Sequence, residues 1–281
     1  DAPDRMIDLG DCKLPYWKIG RGPDLVFVHG WPLNAGTWRN VVDALKADFT
    51  CHVIDLPRAG QSQWTEATPG GVKGLSRALG RAVGALDVPG RFLFVAHDSG
   101  GGFARAVAAQ MPDWIAGLAL GNTEIPGFHP WRLTLMLALR KPLQMFFPLS
   151  LRTRLGRWLL LRDCVTDTRL IEGELSPRFI APLTGSKRLM DGAMDLVHTL
   201  KAADFDAIGD AHPKITAPVR LVWGAKDPWF PLKHARGMVD SFGGPCELVV
   251  IDDAKLLVHE EHPQRFAAEV RTLAAQAAWQ G

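Results

Sequence analysis

Apolar and polar positions fall into two patterns that take turns along the chain. Short apolar-rich segments recur at 24–29 (DLVFVH), 50–54, 92–96, 115–120, 219–223 and 246–251, unbroken at 92–96, which is how strands buried on both faces of a parallel sheet read. Between them, apolar residues recur at helical spacing over 35–47, 72–86, from Phe103 through Ala106 and Val107 to Met111, and over 232–241 and 263–279. Residues 6–20 instead alternate around Gly10 and Asp11 and predict an antiparallel edge hairpin. Strand and helix in this succession predict an α/β fold with a mostly parallel, doubly wound sheet of eight strands and right-handed crossovers.

The rhythm stops between 126 and 209. That stretch holds no convincing strand and is rich in Leu, Trp, Arg and Met. Residues 1–125 and 210–281 therefore form the expected core, and 126–209 a helical insertion serving as a lid. Arg152, Arg154 and Arg157 interleave with Leu151, Leu155, Trp158 and Leu159, so an amphipathic helix is expected there. A helical subdomain with its own core fits the same pattern, and so does a helix lying on a membrane surface. The uncharged run from 142 to 151 is too short to span a bilayer.

Composition adds bounds. With 281 residues, 47% apolar and 22% charged, the chain suits one large globular domain with an insertion. A net charge of +2 gives no electrostatic case for nucleic acid. Cys12, Cys51, Cys164 and Cys246 lie far apart without a Cys-x-x-Cys pair, which speaks for reduced thiols in a cytoplasmic protein. No signal-peptide pattern opens the chain, although a processed chain would show none. Neither a metal cluster nor a nucleotide loop is evident, so no cofactor is expected. A homodimer stays open.

The candidate chemistry sits where the 92–96 strand meets its helix. Ala96-His97-Asp98-Ser99-Gly100 is a small-x-Asp-x-small turn, the pattern of a strained corner that lifts one side chain above the sheet. Centring it on Asp98 puts Ala96 and Gly100 at the crowded flanks. Centring it on Ser99 would put His97 there, and an imidazole does not fit. An ordinary helix N-cap would also explain Asp and Ser at this place.

Taken in order, HGWP at 29–32, DLPRAGQS at 55–62, AHDSGGG at 96–102, WGAKDPWFP at 223–231 and HEEHP at 259–263 resemble the α/β-hydrolase fold superfamily. The Asp at the elbow resembles its epoxide hydrolase and haloalkane dehalogenase branch. The resemblance implies Asp98 as nucleophile and the backbone N–H groups of Trp31 and Ser99 as oxyanion hole, with Pro32 stiffening that loop through a cis bond. It also implies Asp227 as the acid that orients a histidine, with Glu124 as an alternative acid. His29 is expected to brace the first loop. Trp131 and Trp158 are candidate lid residues over a pocket for a hydrophobic small molecule.

The last loop departs from the family pattern. Aligned on its Glu, the chain has Leu256 where the histidine belongs, and the nearest imidazole is His259. Three residues are about one helical turn, roughly 5 Å, so a shifted backbone would let His259 serve as the base. Otherwise His259 is a capping or surface residue and the triad is broken, while His262 faces solvent. The other devices of the branch are missing too. The chain's one tyrosine, Tyr16, lies on the hairpin, and neither Trp nor Arg follows Asp98.

These residues support a hydrolase forming an alkyl ester on Asp98, with epoxides favoured over carbon–halogen substrates. A non-hydrolytic acid–base catalyst, a cyclase or isomerase using Asp98, is the alternative. A non-catalytic binding protein is the third reading.

Overall fold

The computed structural model describes residues 2–131, 134–135 and 146–277. Nine strands form one sheet: β1 (Arg5–Asp8), β2 (Cys12–Gly20), β3 (Asp24–Val28), β4 (Thr50–Ile54), β5 (Gln63–Trp64), β6 (Phe92–Ala96), β7 (Ile115–Gly121), β8 (Val219–Gly224) and β9 (Cys246–Ile251). Their order is β1-β2-β4-β3-β6-β7-β8-β9, with the two-residue β5 paired to β2. β1 and β2 pair antiparallel, and every neighbour from β4 to β9 is parallel. This is the expected α/β architecture, with the short β5 added to the eight strands expected.

The central strands β4, β6, β7 and β8 are buried at every position, which is why their sequences are mostly apolar without strict alternation, the polar exceptions being Thr50 and His52 in β4 and Arg220 in β8. One face packs against α1 (Arg39–Leu45) and the last helix, residues Pro263–Gln276, around Trp38, Phe266 and Val270. The other packs against α2 (Gly71–Gly84) and α3 (Ser99–Ala108) around Leu75, Leu79 and Phe103. From β3 the chain moves outward to β4 and then crosses back to β6 on the other side of β3. The loops after β3 and β6 therefore diverge from a switch point, the crevice where open α/β sheets hold ligands.

Between β7 and β8 the described residues hold helices and no strand. They are α4 (Arg154–Leu161), a π-type stretch Ile171–Ile180, α5 (Ala181–Gly185), α6 (Lys187–Thr199) and α7 (Ala202–Gly209). The sequence pattern starts the first of these at 151. In the structure it starts at Arg154, because the Thr153 hydroxyl accepts from Gly156 N and caps it. Residues 142–145 of the apolar run and 278–279 of the last expected helix lie outside the described residues. Among the described residues no helix is long and apolar enough to cross a membrane.

Candidate active site

The strand-to-helix corner after β6 is as tight as its sequence demands. Asp98 adopts φ 50° and ψ −138°, a left-handed conformation that costs a non-glycine residue roughly 1–3 kcal/mol. Its N–H donates to Asn122 O at 2.9 Å, and the Thr123 hydroxyl lies 2.8 Å from its carbonyl. A Cβ on Gly100 would stand 2.4 Å from His29 O and 2.6 Å from Val28 O. One on Gly30 would stand 2.4 Å from Asp98 Oδ2. The glycines thus let β3, its loop and α3 close around a single carboxylate.

That carboxylate is held by backbone N–H groups and a hydroxyl. Asp98 Oδ2 accepts from Trp31 N at 2.9 Å and from the Ser99 hydroxyl at 3.3 Å, and the Ser99 backbone N–H also donates to the carboxylate. Trp31 precedes a cis peptide bond to Pro32. Asp98 lines a cavity under the inserted helices. Burial pushes the Asp98 carboxyl up to about 6, against the pull of the N–H donors.

The cavity, about 110 Å³, is also lined by Trp31, Ser99, Glu124, Leu160, Leu161, Cys164, Val197, Phe205, Phe230 and Leu256. Its walls are apolar apart from two acids. Glu124 is pushed up to about 8, first by burial and then by the Asp98 charge, while Arg105 opposes the shift. The buried Arg105 guanidinium donates to Glu124 O at 2.8 Å and lies 3.8 Å from Glu124 Oε2. The Thr123 hydroxyl touches both acids' residues, reaching Asp98 O at 2.8 Å and Glu124 Oε2 at 2.9 Å. It has one proton to give, so when that proton points to Asp98 O, a protonated Glu124 completes the second contact.

A second cavity of about 290 Å³ lies behind Trp31, between the β3 and β4 loops and the inserted helices. Trp31, Pro32 and Ser99 line both cavities. The Trp31 indole spans the gap, donating to Ala193 O at 2.9 Å and stacking on Phe147 at 6.2 Å.

Asp227 is buried just outside the cavity. Its carboxylate accepts from Asn122 Nδ2 and Trp229 N, both at 2.7 Å, and from Phe230 N. Burial pushes it up to about 7. No imidazole reaches it among the described residues.

His259 is not brought to the cavity. Its ring is fully buried on the α1 side of the sheet, 4.5 Å from the Trp38 ring and 4.4 Å from the His97 ring. Its Nε2 lies 2.7 Å from the Thr37 hydroxyl, and that hydroxyl donates at 2.7 Å to Glu260, which also takes Arg39. Thr37 has spent its proton on Glu260, so His259 Nε2 must donate. The remaining lone pair, on Nδ1, is buried without a partner. Burial and the neighbouring His97 and Arg39 hold this imidazole neutral. The expected one-turn shift does not occur because Val258, His259 and Glu260 are locked into a short buried helix against α1 and its approach. Leu256 therefore faces the cavity in place of an imidazole.

The remaining candidates are placed as follows. His29 accepts from Leu56 N at 3.0 Å and contacts Gly30 O at 3.0 Å, tying the β3 loop to the β4 loop. Trp131 is 69% exposed and Trp158 39%, and neither lines the cavity. His262 is partly exposed, 3.3 Å from Asp253. Asn122, Thr123, Arg105 and Cys164 were not singled out by sequence. GNTE directly after β7 was the available sign for the first two. Among the described residues no group of three or more His, Cys, Asp or Glu is arranged to hold a metal ion.

Comparison with known proteins bears on this geometry. The profile described as "Alpha/beta hydrolase family" matches residues 25–269. A pimeloyl-[acyl-carrier protein] methyl ester esterase of Vibrio parahaemolyticus is 26% identical over 272 residues, covering 93% of this chain and 98% of its own. An esterase of the same name from Vibrio atlanticus is 38% identical over 104 residues, 37% of this chain, and the match spans 38% of that relative. Among solved structures, 2-hydroxy-6-oxo-6-phenylhexa-2,4-dienoate hydrolase from Rhodococcus superposes with a TM-score of 0.81 at 17% identity, over 98% of this chain and 99% of that one.

Proposed function

Because the chain belongs to the alpha/beta hydrolase family, we propose that it is a hydrolase acting on a hydrophobic small molecule through an ester formed on Asp98. The curated relatives are named as methyl ester esterases rather than epoxide or halide hydrolases. What carries the alkyl-ester reading is the apex of the corner. A carboxylate stands there, reached by the N–H groups of Trp31 and Ser99 and lining a largely apolar cavity. The helices between β7 and β8 act as the lid, since they supply Leu160, Leu161, Val197 and Phe205.

In the first step Asp98 Oδ1 attacks an epoxide carbon, the carbon–oxygen bond breaks, and the departing oxygen takes a proton from Glu124. The product is a hydroxyalkyl ester on Asp98 and an ionised Glu124. Esterification also removes the Asp98 charge that helped hold Glu124 protonated, so the Glu124 carboxylate persists. In the second step Glu124 accepts a proton from water as that water attacks the Asp98 carbonyl carbon. The resulting oxyanion rests on Trp31 N and Ser99 N. Collapse expels the diol, whose oxygen takes the proton back from Glu124; Asp98 is left as the acid, and its remaining proton passes to Glu124 to restore the starting pair. Glu124 thus does both proton transfers in a site where Leu256 occupies the base position.

A single turnover of an aryl epoxide in H₂¹⁸O, followed by peptide mass analysis, tests this. The reading requires ¹⁸O in the Asp98 carboxylate and none after Asp98→Asn. Leu256 favours a second reading, in which the Asp98–Glu124 pair moves a proton in an isomerisation or cyclisation. Turnover with no label and no mass adduct would select it.

A further inference from the structure

The inserted helices have an outward side that the site does not use. Phe147 packs on Trp31, and Leu160 and Leu161 line the cavity. On the opposite side, Leu155, Trp158 and Leu159 fall at i, i+3 and i+4 along α4 and are 66%, 39% and 52% exposed. Phe146 and Leu149, on the preceding turn, are 59% and 63% exposed. A water-facing helix would carry polar residues at these positions.

Along α4 and the turn before it, residues 146–162, the charged residues are Arg152, Arg154, Arg157 and Arg162 with no Asp or Glu, in a chain whose net charge is only +2. Arg157 is taken up by Glu172 at 2.8 Å. Arg152 and Arg154 stand exposed with no salt bridge among the described residues, and Arg162 lies 4.6 Å over the Trp158 ring. An exposed Leu, Phe and Trp ridge rimmed by arginines matches the chemistry of an interface-seeking helix, whose apolar side chains enter the acyl boundary while cations meet anionic headgroups.

We propose that this ridge docks the protein on an anionic lipid surface. An acidic protein would satisfy the arginines but would leave five large apolar side chains without a matching surface. A second copy of the chain would set arginine against arginine.

The test is co-sedimentation with sucrose-loaded vesicles of phosphatidylcholine alone or mixed with phosphatidylglycerol. The full chain is used, in 50 mM and 500 mM salt. The expected result is at least tenfold stronger partition onto the anionic vesicles, weakened by salt. It should be lost in Leu155→Glu/Leu159→Glu and weakened in Arg152→Ala/Arg154→Ala. Circular dichroism melting of each variant excludes unfolding as the reason for loss. Absence of anionic preference, or equal binding by folded ridge variants, overturns the proposal. So does a wild-type dimer in size exclusion that Leu155→Glu/Leu159→Glu dissolves.

Discussion

Replacing Glu124 with Gln keeps the shape of the side chain, its reach to Thr123 and its place beside Arg105, and removes only the exchangeable proton. The proposed cycle needs Asp98 ionised and Glu124 protonated at the start. With Asp98 near 6 and Glu124 near 8, the competent fraction is about 0.8 at pH 7 and about 0.1 at both pH 5 and pH 9. These apparent values belong to the pair, with Asp98 losing its proton first because two N–H groups and a hydroxyl reach it. The rate against pH is therefore a bell, rising through Asp98 ionisation and falling through Glu124 ionisation. Glu124→Gln should lower turnover roughly 10²–10⁴-fold, the usual worth of a positioned proton carrier. It should also erase the alkaline limb and let the Asp98 ester accumulate. The assay is initial rate on an aryl epoxide from pH 5 to 9, with intact-protein mass at each point. Wild-type turnover with the limb near 8 intact in Glu124→Gln would refute the role given to Glu124. Stability offers an independent reading. Both acids are held above their ordinary values, so the folded state binds protons more tightly than the unfolded one. Stability is then fullest in acid and is lost as pH rises toward 8, and Glu124→Gln should flatten the Glu124 share of that loss in thermal melts.

Three further outcomes follow from named contacts. Leu256→His places an imidazole in the cavity with Asp98, and should speed resolution of the ester by roughly 10²-fold, the low end for a general base, measured as decay of the mass adduct. His259→Ala should cost about 2–4 kcal/mol in urea unfolding, because it empties a packed site between Trp38, His97 and Phe266, yet leave the pH profile of turnover unchanged. Gly100→Ala drives a Cβ into His29 O and Val28 O, and should cost about 1–3 kcal/mol and abolish adduct formation by displacing Asp98.

The sheet was readable because burial on both faces leaves no room for polar alternation. β4 and β6 occupy the ranges the sequence predicts, and so does β9, although it lies at the sheet edge with most positions only partly buried. Elements with weaker local signals drifted. β5 is two residues long and pairs only at the rim of β2, so no periodicity could announce it. The elbow was legible because it is a steric problem with a sequence solution, small residues on either side of one strained position. The proton chemistry was less so. Arg105 sits in the middle of a helix where a cation ordinarily faces solvent, and only the fold turns it inward to meet Thr123, Glu124 and His212.

His259 shows why a one-turn offset cannot be corrected by adjusting a loop. Moving its ring to the Leu256 position would need Val258 to leave the core beside Phe266, Glu260 to abandon Arg39 and Thr37, and Leu257 N to give up Cys164 O at 2.9 Å. Each is a buried contact, and breaking the charged one alone leaves a carboxylate or guanidinium without its partner, a loss of roughly 3–5 kcal/mol. Only a rearrangement costing a large part of a domain's stability would deliver the imidazole. A site with this loop must find its proton carrier on another strand end, and Glu124, after β7, is the other carboxyl that lines the cavity with Asp98.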